Sequence, residues 1–329
     1  MTDIADKKKR NTTVDVIKGL CAFLVVINHS EYSDAFYRYS LFPFWVYAAV
    51  PVFMFLSGFI RCRKVPEFKE SYSLTFVSKQ LSRLLVPFFP VFFIEEFISL
   101  KGAFSLKTIL IDLMDGGHGP GSYYVILMIQ FVFVIPLIQE FIRRYDRKGL
   151  WLCAAMNIVY EILKSIVNLS PTIYRVLLFR YLFVIAWGVY YYSHQKENQN
   201  RLAITICMII GLVYIYAVGY MGVTILCFDQ WAATAIPASF FWVPIVMLLL
   251  KRNQLRCSVL EIAGRASYHI FLIQMFYFRY IYSYLNLHFH YLLMILVNLM
   301  ICVSAGICFY LFENRIRKMI KNRLSVSVN

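Results

Sequence analysis

Charge is scarce in this sequence, and acid is scarcer than base. Only 16% of the 329 residues are charged, with 18 acids against 33 bases. With 60% of residues hydrophobic and 18% aromatic, that excludes a soluble globular domain. No polar stretch is long enough to fold apart from the rest, so residues 1–329 read as one integral-membrane domain. The eight cysteines contain no C-x-x-C pair and no metal-ligand spacing, which argues against a disulfide framework and against a metal centre. G-x-S-x-G, P-loop and H-E-x-x-H motifs are missing, as are internal repeats and low-complexity segments. No cleaved leader is expected, and the first apolar run is kept as a span. Asp15 and Lys18 interrupt the apolar run after the basic Lys7–Arg10, and His29-Ser30-Glu31-Tyr32 offers no small-residue cleavage site.

What the chain does have is a series of apolar runs near the ~20 residues a bilayer crossing needs. They predict an all-α polytopic membrane protein with ten transmembrane helices, at 14–29, 41–60, 84–100, 123–142, 150–167, 173–193, 202–220, 232–250, 268–285 and 291–312. Basic residues alternate with this pattern. One set of connections holds Lys7–Arg10, Lys79, Arg83, Arg143, Arg144, Lys251, Arg252, Arg265, Arg315 and Arg317, while the other holds little beyond Arg38, Lys101 and Lys107. Positive charge marks the cytoplasmic side, so both termini are placed there. The net charge of +15 is thereby a topology signal, and nucleic acid is excluded as a partner. Leu74, Val77, Leu81 and Leu84 predict an amphipathic helix leading into the third span, and Leu106, Ile109, Leu110 and Leu113 predict one on the outer surface. The run Gly116–Gly121 after it reads as flexible.

The most informative stretch is the first span, VDVIKGLCAFLVVINHS, at Val14–Ser30. Ionisable groups inside a span are expensive and are kept for function. Lys18 and His29 are separated by ~1100° of helical rotation, ~20° past three full turns, so they share a face roughly 16 Å apart along the axis. Asp15 lies ~40° off that face and is an i,i+3 neighbour of Lys18. This predicts a rail for a long anionic cofactor, with a charged foot at one surface and an imidazole deep toward the other. His29 suits a general base working near neutral pH. Lys18, Lys79 and Arg83 would gather at the cytoplasmic surface and hold phosphates, with Asp15 neutralising Lys18. Arg180 stands near the middle of a span with no acid close in sequence. Glu161 and Lys164 are placed for an i,i+3 ion pair, whereas Glu95 and Glu96, ~100° apart, cannot face one site equally. Ser57-Gly58 reads as a close helix contact, and Tyr190–Tyr192 and Phe240–Trp242 read as an interfacial aromatic belt.

In order along nearly the whole chain, seven segments resemble the acyltransferase 3 family, bacterial polytopic membrane enzymes that acylate surface glycans and related molecules. DVIKGLCAFLVVINHS carries the family's basic-x10-His pattern at Lys18 and His29, and PVFMFLSGFI matches a segment closing on Ser-Gly-Phe. KQLSRLLVPFF, GSYYVILMIQFVFVIP, RYLFVIAWGVYY, GRASYHIFLIQ and LFENRIRK are similar to its later segments. Some positions depart from the pattern. Gln80 occupies the first of two sites where the family has arginines three apart, leaving Arg83 with Lys79 nearby. Lys18 replaces an Arg and loses the planar fork, and Gln274 stands where His is frequent, so it is assigned no proton transfer.

The resemblance implies a bacterial inner-membrane O-acyltransferase, multi-pass, that takes an acyl group, acetyl or another, from cytoplasmic acetyl-CoA or another acyl-CoA; no metal is expected. Lys18, Lys79 and Arg83 would hold the CoA phosphates. The pantetheine arm would run along the first span to His29, acting as base or through an acyl intermediate. The acceptor would be a hydroxyl of a lipid-linked or exported polysaccharide, with polysaccharide-assembly proteins as partners. No appended hydrolase-like domain is expected, so the membrane domain or another protein would complete the transfer. Two rival readings are a glycan exporter and a non-catalytic partner of a polysaccharide synthase. The exporter would call for paired interrupted spans in two halves, which the sequence lacks.

Overall fold

Asn11 starts the first helix by accepting the Val14 amide on its side-chain oxygen (3.1 Å), and Asp15 in the first turn complements the helix dipole. The computed structural model describes residues 11–64, 68–100, 105–195, 197, 200–223, 236–285 and 290–326. Among these residues all regular structure is helical. The principal helices are α1 (Thr12–His29), α2 (Ala49–Lys64), α3 (Leu74–Leu100), α4 (Leu106–Asp115), α5 (Tyr123–Val167), α6 (Leu182–Ser193), α7 (Arg201–Met221), α8 (Ile236–Arg252), α9 (Ser258–Arg265), α10 (Ser267–Phe276) and α11 (Tyr291–Val326).

Among the described residues, five stretches are long and apolar enough to cross a membrane: Thr12–His29, Phe42–Cys62, Tyr123–Lys164, Arg201–Met221 and Tyr291–Arg323. They account for six of the expected spans, because Tyr123–Lys164 holds two. Within α5, Asp146 takes a positive φ of 49° with ψ −128°, which breaks the axis into two arms. The expected spans at 84–100, 173–193, 232–250 and 268–285 fall on helices that are charged, short or broken. α3 runs through Pro87 and Pro90 and carries Glu95 and Glu96. Around 173–193, Leu177 is extended, and Leu178–Tyr181 form a 3-10 turn before α6 begins. Gln130 of α5 repairs that break: its amide donates to the Val176 carbonyl (2.7 Å) and its carbonyl accepts the Leu178 amide (3.3 Å). Backbone freed inside an apolar bundle needs such a partner. After α10, Tyr277–Ile281 form a π-helical turn. The eighth expected span is described only from Ile236, since 232–235 lie outside the described residues.

Two glycine contacts draw the bundle together. A Cβ on Gly58 of α2 would overlap the Ile185 carbonyl of α6, and one on Gly188 of α6 would overlap the Phe55 carbonyl of α2. Gly19 of α1 meets Leu260 of α9 in the same way, and Gly264 of α9 meets Asp15. Small residues let backbones touch where lipid provides no hydrophobic drive. The expected aromatic belt is instead partly core. Tyr191 and Trp242 are buried, with the Tyr191 hydroxyl donating to Met247 (2.8 Å) and the Trp242 indole to Phe44 (2.9 Å). Each ring had a carbonyl to satisfy its polar tip, so neither needed interfacial water.

Candidate active site

α1 borders a cavity of about 720 Å³ lined with it by α2, α3, α5, α9, α10 and α11. Lys18, His29, Lys79 and Arg83 all line it, together with Arg61, Arg265 and Arg317. Between the cations and the imidazole the wall is apolar, formed by Ala22, Val25, Val50, Phe53, Leu56, Met128 and Phe131. Glu313 is the one acid among the lining residues. The cavity therefore has a strongly cationic part and an apolar sleeve, with His29 the roughly 16 Å of helix away from Lys18 that α1 dictates.

The cations come from five helices, α1, α2, α3, α9 and α11. Arg317 of α11 donates to both Glu313 Oε1 (2.5 Å) and the Ser82 carbonyl of α3 (2.9 Å), next to Arg83. Glu313 Oε2 pairs in turn with His269 Nε2 of α10 at 2.5 Å. Tyr268 donates its hydroxyl to the Leu84 carbonyl (3.1 Å), which ties α10 to α3 a second time. Arg61 lies over the Phe76 ring at 4.4 Å and donates to the Val132 carbonyl at 3.5 Å. Its planar cation is held by stacking, which leaves guanidinium edges for an anion.

The His29 part is fixed by a buried polar chain. Tyr277 donates to Asn298 Oδ1 (2.6 Å), Asn298 Nδ2 donates to Ser30 Oγ (2.9 Å), and Ser30 Oγ donates to the Val26 carbonyl (3.0 Å). That chain anchors the last turn of α1, and with it the imidazole. The His29 ring lies 6.1 Å from the Phe278 ring. Opposite it runs the Gly116–Gly121 loop, whose Gly121 approaches so closely that a Cβ there would lie 3.9 Å from His29 Nε2. The loop is anchored rather than loose. Gln274 donates to the Pro120 carbonyl (3.2 Å), and His118 is bonded through both backbone and ring to α3. Glu95 and Glu96 do share a target, contrary to the expectation from their helical angle. Glu95 accepts the His118 amide (3.2 Å) and Glu96 meets its Nε2 (2.7 Å), because two long side chains can converge on different atoms of one residue.

Asp15 and Arg180 do not line the cavity. Asp15 is buried, its backbone pressed against Gly264 of α9. Arg180 is fully buried, its guanidinium 4.4 Å from the Tyr174 ring centroid and 5.2 Å from that of Tyr181. Tyr174 hydrogen-bonds both oxygens of Glu161 (2.9 and 2.7 Å), and the Lys164 ammonium lies 5.4 Å from the same ring. Ser57 lines the cavity but donates back to the Phe53 carbonyl (2.8 Å), as a helix serine does. Sequence reasoning missed Arg61, Arg265, His269, Glu313 and Arg317. The last four lie in GRASYHIF and LFENRIRK, where ionisable groups at the ends of apolar runs were the available signal. Outside the cavity, Glu96, Asp112 and His118 form a compact group with metal-ligand atoms.

No curated protein and no solved structure matches the chain. The family model for the acyltransferase domain of the acyltransferase 3 family matches residues 11–313. That match runs from the cap of α1 to Glu313 and takes in every residue that lines the cavity except Asn314 and Arg317. The chain belongs to the acyltransferase 3 family and is a membrane acyltransferase.

Proposed function

We propose that the protein transfers an acetyl group from cytoplasmic acyl-CoA to a sugar hydroxyl of a lipid-linked or exported polysaccharide, in a bacterial inner membrane. The observation that carries this reading is the single cavity that holds both the cationic cluster and His29. Six cations against one acid favour a polyanion such as the nucleotide and pyrophosphate of CoA. The apolar sleeve suits the pantetheine arm, which when extended brings the thioester to His29. There His29 Nε2 takes the proton of the acceptor hydroxyl as its oxygen attacks the thioester carbonyl. The C–S bond breaks, the ester forms, and the CoA sulfur leaves to collect a proton. Lys18, Lys79 and Arg83 hold phosphates, with Arg61, Arg265 and Arg317 adding to the same field. Asp15 and Arg180 support the helices around the site.

The same arrangement supports ten crossings with both termini in the cytoplasm. Arg317 of the C-terminal helix bonds Ser82 beside Arg83, so the end of α11 and the start of α3 share one end of the bundle. Lys18 near the start of α1 borders the same cavity, and positive charge belongs on the cytoplasmic side. The test is acetyl transfer by the purified chain in lipid. His29→Ala is expected to lose about 10²- to 10⁴-fold in turnover with unfolding temperature unchanged. Full turnover by that variant would remove His29 from the chemistry, and glycan flux without acyl turnover by the wild type would favour an exporter.

A further inference from the structure

Beyond the cavity, the wall opposite His29 is built on a concentration of acid that the rest of the chain does not explain. Glu95 and Glu96 of α3 are 0% and 2% exposed, and Asp112 of α4 joins them around His118. Three of the chain's 18 acids thus meet at one place in a protein of net charge +15. The ligand atoms of Glu96, Asp112 and His118 all lie within 4.8 Å of one another. His118 Nε2 stands 2.7 Å from Glu96 Oε1 and 3.6 Å from Asp112 Oδ2.

Hydrogen bonding leaves this group incomplete. Glu95 Oε1, Glu96 Oε2 and Asp112 Oδ2 are buried oxygens with no hydrogen-bond partner among the described residues. A single imidazole proton cannot serve three carboxylates, and a buried unpaired carboxylate is costly. The neighbouring cation is Arg279, which acts on Glu95 from an exposed position and also bonds Tyr280. A divalent cation would balance the remaining charge and take up the free lone pairs.

The donor set also names the kind of cation. One imidazole nitrogen with carboxylate oxygens suits zinc and its first-row neighbours rather than calcium or magnesium, which take oxygen alone. Tetrahedral zinc with bonds of about 2.0–2.2 Å sets its ligand atoms about 3.3 Å apart. The separations of 2.7 and 3.6 Å from His118 Nε2 straddle that value, and no two of the three ligand atoms are more than 4.8 Å apart.

We propose that Glu96, Asp112 and His118 form a structural site for a zinc-class divalent cation, which fastens the Gly116–Gly121 loop over the His29 end of the cavity. Glu95 positions the loop by accepting the His118 amide, and Gln274 holds its far side at Pro120. With the metal in place, α3, α4 and the loop become one body, and Gly121 is held against His29. The site takes no part in acyl chemistry and stands whether or not acyl-CoA is the donor.

The experiment uses the full chain, purified in lipid nanodiscs without a histidine tag, stripped with chelator and then titrated with Zn²⁺ against a chromophoric chelator. About one Zn²⁺ per chain is expected, with the unfolding temperature raised by Zn²⁺ and lowered again by chelator. Glu96→Gln, Asp112→Asn and His118→Ala should each weaken binding about tenfold or more. His194→Ala, which removes a histidine beside Asp146 far along the chain, should bind as the wild type does. Wild-type protein that binds no zinc, or whose stability ignores it, overturns the proposal. So does binding that survives His118→Ala unchanged, which would mark adventitious zinc. If a variant fails to fold, the wild-type stability with and without Zn²⁺ still decides.

Discussion

The charges that line the cavity and those gathered around Arg180 differ chiefly in the space beside them. Along α1, cations and an imidazole border a cavity of about 720 Å³. Around Arg180, the rings of Tyr174 and Tyr181 close to 4.4 and 5.2 Å, and Glu161 is held by Tyr174. Lys79, Arg83 and Arg265 are exposed, whereas Lys18, His29 and the fully buried Arg180 stand among apolar residues, where charge is expensive. The difference teaches that such expense has two uses. Where a cavity adjoins the charge, a ligand can share its cost; where aromatic rings enclose it, the charge holds helices together. The Arg180 group sits where the backbone breaks at Leu177, so its tyrosines and Glu161 fix a segment that has no continuous helix to rely on.

Substitutions in the two groups should therefore separate activity from stability, and the largest effects come first. His29→Ala is expected to lose turnover while keeping its fold. Arg180→Leu is expected to do the reverse. Removing a fully buried cation from the Tyr174–Glu161 group costs about 3–5 kcal/mol, while kcat and KM of the folded fraction remain close to wild type. Thermal unfolding in lipid, run beside acetyl transfer, reads both quantities. Should Arg180→Leu stay stable and lose turnover, the comparison fails and Arg180 joins the site.

A smaller effect divides the cavity itself. Arg83→Ala removes a charge-assisted contact worth about 1.5–3 kcal/mol, so KM for acetyl-CoA should rise about 10- to 100-fold with kcat little changed. A donor cut back to acetyl-pantetheine lacks the nucleotide phosphates and should be used equally by wild type and variant. A loss with both donors would place Arg83 elsewhere in the mechanism. Arg317 should behave similarly, because its bond to the Ser82 carbonyl locates it beside Arg83.

How much of this was legible in the sequence follows the distance over which each contact acts. Lys18 and His29 share a cavity wall because helical periodicity is local and can be counted along one span. The Gly58 contact was readable for the same reason: a small residue in a span has few other uses. The His269–Glu313–Arg317 chain was not readable, since it joins α10 to α11 and no periodicity links them. Glu95 and Glu96 misled because helical angles describe where side chains begin, and their target, His118, lies on a loop 22 residues further along. Hydropathy found the apolar runs and the gap between 142 and 150 where Asp146 breaks α5, but not the breaks at Leu177 and Tyr277 inside expected spans, since it reads burial and is blind to backbone dihedrals.

The smallest expected effect gives the finest division. Tyr277→Phe deletes the hydroxyl that bonds Asn298 and leaves the rest of the ring in place, at a cost of about 1 kcal/mol. Asn298 still reaches Ser30, so the last turn of α1 is loosened and not released. Because that turn carries His29 and none of the cations, the loss should appear in kcat, by less than about tenfold, and not in KM for acetyl-CoA. Asn298→Ala removes both links and should exceed it in the same direction. A rise in KM with kcat unchanged would mean that the polar chain serves donor binding, and the two ends of the cavity would then have to be treated as one mechanical unit.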